Sequence, residues 1–158
     1  VRAKSVFPYL LLIAAVVEGT ASAQSGDGYL SAGVGSRSGG STGEFAAGGE
    51  LVIASTVGIG AELGFFSEHG SFGFLNVNGS LHLLRHAAKG RTDPFITGGY
   101  TRASDLLASG NGANFGVGLN YWLTHHFGIR AEFRDMLFSS GLPSTVNYWA
   151  IRGGISFR

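Results

Sequence analysis

Between residues 127 and 135 apolar side chains take every second position, Phe127, Ile129, Ala131 and Phe133, with Arg130, Glu132 and Arg134 between them. A period of two belongs to a β-strand, whose successive side chains point to opposite faces. The alternation returns in eight segments, 28–36, 44–53, 57–67, 72–84, 94–103, 113–123, 127–138 and 146–157, separated by clusters of Gly, Ser, Asn and Asp. No helical period competes with them. An all-β chain of eight strands is predicted, each near the roughly 9 to 11 residues of a tilted membrane strand.

The chemistry of the two faces decides what kind of sheet this is. In the third segment Val57, Ile59, Ala61, Leu63 and Phe65 share one face, and Gly58, Gly60, Glu62 and Gly64 share the other. The sixth sets Phe115, Val117, Leu119, Tyr121 and Leu123 against Gly116, Gly118, Asn120 and Trp122. A soluble barrel needs bulky apolar residues inside to reach interior density. Here glycine and charge would have to fill it. With the bulky face turned to lipid the conflict goes, and the pattern becomes that of an eight-stranded antiparallel up-and-down transmembrane β-barrel. Closure also leaves no unpaired backbone edge in hydrocarbon.

Composition agrees. Charged residues make up only 13% of the chain, glycine numbers 27, and the mean hydropathy is +0.21. Soluble domains carry about 25% charged residues. There is no cysteine, which removes disulfides and thiolate metal sites. A net charge of +1 gives no reason to expect nucleic acid.

The first residues follow another logic. Arg2 and Lys4 precede an apolar run from Val6 to Val17, and Ala21 and Ala23 supply the small residues of an export cleavage site. As a helix that run rises about 18 Å against roughly 30 Å of hydrocarbon, too short to span. It reads as a cleavable signal peptide, residues 1–23, ahead of a barrel domain over 24–158. Removing it takes away Arg2, Lys4 and Glu18, so the 11 basic and 10 acidic residues fall to nine of each. The predicted location is the bacterial outer membrane.

Gap lengths imply a direction. From a periplasmic start, the short gaps at 55–57 and 124–126 are periplasmic turns, and 37–43 and 104–112 are outer loops. The basic gap 85–93 is long for a periplasmic turn. Phe115 and Tyr121 on the sixth strand, and Trp149 and Phe157 on the eighth, are placed to form aromatic girdles at the two interfaces. By alternation Glu50, Glu62, Arg130, Glu132, Arg134 and Arg152 face inward. Buried ions persist only when paired, so an interior ionic network is expected, Glu132 beside Arg152, with Glu50 and Glu62 reaching Arg130 or Arg134.

The run NFGVGLNYWLTHHFGIRAEFRDM, residues 114–136, resembles the penultimate hairpin of small OmpA-like outer-membrane β-barrel domains: a Gly-x-Gly strand ending in aromatics, a short polar turn and an Arg-x-Glu-x-Arg return. The closing YWAIRGGISFR is similar to that family's last strand. The resemblance implies outer-membrane lipids and the barrel assembly machinery as partners, with Phe157 as the assembly signal. Arg158 follows Phe157 where the family pattern ends on the aromatic.

Other chemistry finds little footing. The Gly-x-Gly runs at Gly33, Gly58 and Gly116 lack the third glycine and following helix of a dinucleotide site. Adjacent His125 and His126 do not converge on one ion. His82 shares the inward face with Asn76, Asn78 and Ser80 and reads as part of a hydrogen-bonded interior. A lipid A deacylase-like enzyme would need a Ser and His on the outer face, whereas Ser80 and His82 have reversed order and point inward. A soluble exported ligand-binding barrel is the third class. No catalytic residue, cofactor or metal is expected.

Overall fold

The computed structural model describes residues 25–37, 40–53, 56–68, 70–84, 91–104, 109–139 and 145–158. The signal segment 1–23 and residues 85–90 of the basic gap lie outside them. The described residues form eight strands: β1 Ser25–Arg37, β2 Gly40–Val52, β3 Val57–Glu68, β4 Gly70–His82, β5 Thr92–Ser104, β6 Ser109–Trp122, β7 Phe127–Ser139 and β8 Thr145–Phe157. Each pairs antiparallel with its neighbours in sequence, and β1 pairs with β8 to close the barrel.

The strands outrun their predicted bounds. Residues 37–43 were expected as an outer loop, yet the β1–β2 ladder continues through Gly35↔Thr42, Ser36↔Ser41 and Arg37↔Gly40. Ser104 and residues 109–112 of the other expected outer loop likewise enter the β5–β6 ladder, with Ser104 opposite Ser109. Gly, Ser and Thr signal turns by sequence, but a ladder needs only backbone groups and extends into water on such residues. β4, by contrast, stops at His82 and not Leu84; Leu83 N–H still donates to Pro94 O at 2.9 Å. At 13 residues and about 3.3 Å each, a strand is roughly 43 Å long.

Local chemistry shapes the β6–β7 connection. The Thr124 hydroxyl accepts from the N–H of Phe127 at 3.0 Å and of His126 at 3.3 Å, and Thr124 N–H donates to Phe127 O at 3.0 Å. Here β1 also begins and β8 ends.

The two faces separate along every strand. Most outward positions are apolar and exposed, among them Leu30 and Val34 on β1, Ile59 and Phe65 on β3, Val117 on β6, Phe133 on β7 and Ile151 on β8. Inward positions hold Glu62, Asn76, Thr101, Arg134 and Arg152, each at most 2% exposed. The inside is not uniformly polar, however. At the end away from the β6–β7 turn, Phe66, Phe74, Met136, Phe138 and Tyr148 form an apolar inner layer, Phe66 lying 4.1 Å from Tyr148 and 4.7 Å from Phe74 between ring centroids.

Candidate functional site

Four strands, β2, β3, β7 and β8, bring the central ionic cluster together. Alternation on β7 points Arg130, Glu132 and Arg134 inward in succession, and register sets Glu132 opposite Arg152 of β8. Glu132 accepts from Arg130 Nη2 at 2.9 Å, Arg134 Nε at 2.8 Å and Arg152 Nη2 at 3.1 Å. Arg152 also crosses the lumen, donating Nη2 to Glu62 of β3 at 2.7 Å and Nη1 to Glu44 of β2 at 2.7 Å. Glu62 accepts further from Tyr29 Oη at 2.9 Å and Asn76 Nδ2 at 2.8 Å.

Glu44 was not among the inward charges chosen from the sequence, although it shares the parity of Glu50 on β2. With it the cluster balances: Glu44, Glu62 and Glu132 against Arg130, Arg134 and Arg152. Neutral groups extend the cluster. Arg134 Nη1 donates to Asn114 Oδ1 at 2.6 Å, Asn114 Nδ2 to Thr101 Oγ1 at 2.9 Å, and Thr101 Oγ1 to Asn76 Oδ1 at 2.7 Å. The Arg130 guanidinium lies between the rings of Tyr29, 4.3 Å away, and Phe95, 4.0 Å away.

Glu50 departs from expectation. It and Glu62 were both to meet Arg130 or Arg134; Glu62 pairs instead with Arg152, and the Oε2 of Glu50 lies 3.3 Å from His82 Nε2, while His82 Nδ1 is 2.8 Å from Asp93 Oδ1. The reason is height along the barrel: Glu50 is six residues along β2 from Glu44, at the level of the β4 and β5 ends nearer the β6–β7 turn. A lower group of Glu50, His82 and Asp93 thus sits apart from the central one. Between them is a cavity of about 20 Å³ lined in part by Glu50, Asn78, Ser80, Arg130 and Arg134, room for about one water. At the β6–β7 turn Arg158 lies over the Trp122 ring at 3.9 Å, with Nε 3.4 Å from Asp27 Oδ1.

Glycine gives these groups their space. A Cβ on Gly116 would stand 2.7 Å from Glu132 Oε1 and 3.2 Å from Arg134 Nε, and one on Gly48 would stand 2.5 Å from the Tyr29 hydroxyl. Among the described residues no group of three or more His, Cys, Asp or Glu is arranged to hold a metal.

On the outside, Phe115, Trp149 and Phe157 are exposed and Tyr121 is half-buried. Phe157 covers Gly28, its partner on β1. Trp149 stacks on Phe133, centroids 6.3 Å apart. Tyr121 and Phe157 lie toward the β6–β7 turn and Phe115 and Trp149 toward the other end. From Trp149 to Phe157 the outward face spans roughly 20 Å of height at a 40° tilt, close to the apolar band of a membrane barrel, about 25 Å.

No protein-family model and no curated protein sequence matches the chain. Solved structures do. The N-terminal β-barrel domain of Pseudomonas aeruginosa OprF is similar at 14% identity over 83% of this chain and 97% of that one, with a TM-score of 0.58. Neisserial surface protein A is similar at 12% identity over 84% and 94%, with a TM-score of 0.65. The outer membrane protein OprG of Pseudomonas aeruginosa is similar at 10% identity over 84% and 95%, with a TM-score of 0.56. The chain has the fold of the eight-stranded outer-membrane β-barrels.

Proposed function

We propose that this chain is a small integral outer-membrane barrel whose interior is plugged by its own ion pairs, and that its role is structural or surface-interacting, not catalytic. The observation that carries the reading is the reversal of faces: charge and glycine inside, exposed aliphatic and aromatic side chains outside. Water outside such a wall would leave a continuous apolar surface unburied, far beyond the few hundred Å² that soluble monomers expose.

The partners follow from the same faces. Lipid meets the outward band, and the aromatics Phe115, Tyr121, Trp149 and Phe157 sit at its two margins as interface anchors. Insertion requires the barrel assembly machinery of the outer membrane, with Phe157 on β8 as the side chain it engages. The strand ends at Arg37 and Gly40, at Ser104 and Ser109, and at Ser139 and Thr145 then face the cell exterior. Inside, His82 is held between Asp93 and Glu50, a setting that suits a hydrogen-bonded interior.

Fractionation of expressing cells tests the reading. The mature protein is expected in the outer-membrane fraction, extractable only with detergent and lacking residues 1–23 by mass. Recovery in the soluble periplasmic fraction would favour the exported ligand-binding barrel.

A further inference from the structure

Asp135 lies on the outward face of β7, with Phe133 and Leu137 on either side of it in that face. Among the described side chains it is the one carboxylate turned outward; Asp27, Glu44, Glu50, Glu62, Asp93 and Glu132 are inward. Register puts Phe115 of β6 and Trp149 of β8 directly across from it. Phe133 and Trp149 stack beside it. Asp135 is only partly exposed, and its Oδ1 is buried with no hydrogen-bond partner in the protein. It stands four residues below the end of β7, at the margin of the apolar band, where Asn147, opposite Leu137, opens the polar rim above.

A carboxylate in this position is costly unless something outside the chain meets it. Three aromatic residues at the positions beside one carboxylate suit an organic ammonium, which gains from ring faces and from the charge together. Building on the membrane reading above, we propose that Asp135, with Phe115, Phe133 and Trp149, forms a binding site for the ammonium group of a lipid headgroup at this margin of the barrel. The occupant is a lipid because the site opens sideways onto the band. The ammonium enters between the rings, the lipid phosphate stays at the height of Asn147, and the acyl chains run down the apolar wall of β7 and β8.

Trp149 is itself the reporter. The protein and its Asp135→Asn and Asp135→Leu variants are folded into phosphatidylglycerol vesicles containing the same small fraction of either brominated phosphatidylethanolamine or brominated phosphatidylglycerol. The second tryptophan, Trp122, is inward and buried and serves as a constant background. Bromine quenching of Trp149 is expected to show about two- to fivefold local enrichment of the ethanolamine lipid, lost in both variants and unchanged by EDTA. Equal quenching by both lipids, or enrichment that survives in both variants, would overturn the site while leaving the membrane reading intact. Enrichment of both lipids abolished by EDTA would assign Asp135 to a metal bridge onto phosphate and overturn the ammonium. Absence of quenching by either lipid would sink the membrane reading, and the site with it.

Discussion

Glu132 is central to the interior, because three guanidiniums converge on its two oxygens. Removing it leaves Arg130, Arg134 and Arg152 short of a counter-charge in a space with little water. Glu132→Ala is expected to destabilise by about 3 to 5 kcal/mol, measured by urea unfolding in vesicles. Arg152→Ala in that background recovers only part, since Arg152 also neutralises Glu44 and Glu62. The double-mutant cycle should still show coupling of about 0.5 to 3 kcal/mol, and strict additivity of the two changes would mean that this pair is not energetically joined. Gly116 is constrained from the same side. Gly116→Ala forces its Cβ against Glu132 and Thr97 and is expected to cost about 1 to 3 kcal/mol in the same assay.

At the scale of the strand, face and depth determine tolerance. Ile151 stands midway along β8 and is 61% exposed, facing outward. Ile151→Lys should cost about 2 to 4 kcal/mol near the midplane, while Asn147→Lys, close to the end of the same strand, should cost about 0 to 1 kcal/mol. Equal costs measured by vesicle unfolding would place the band elsewhere. The faces were legible because parity is a strictly local property: once Glu62 is inward on β3 Phe66 is inward too, and once Glu50 is inward on β2 so is Glu44. The inner aromatic layer of Phe66, Phe74 and Tyr148 and the balancing role of Glu44 were within reach of that rule carried to the strand ends. What parity does not contain is height. Whether Glu50 meets an arginine or His82 depends on the stagger of the strands, which is set by eight pairings around the barrel and appears in no single segment. Strand ends escaped for a related reason, since Ser and Gly look the same in a turn and in a ladder extending into water.

At the scale of the whole molecule, the described strands close around two charge clusters with a cavity of about one water between them. In a planar bilayer it is expected to show no large stable conductance. Steady openings of porin size would mean that the ion pairs do not block the lumen. The central claim, that lipid and not water meets the outer face, is tested most directly by spin-label accessibility. The absence of native cysteine lets single cysteines at 129, 131 and 133 on β7, and at the exposed turn residue Thr124, each carry one label. In vesicles the three strand labels should collide freely with oxygen and rarely with a water-soluble nickel complex, the reverse of the label at 124. Nickel collisions at 129, 131 and 133 equal to those at 124 would contradict the account.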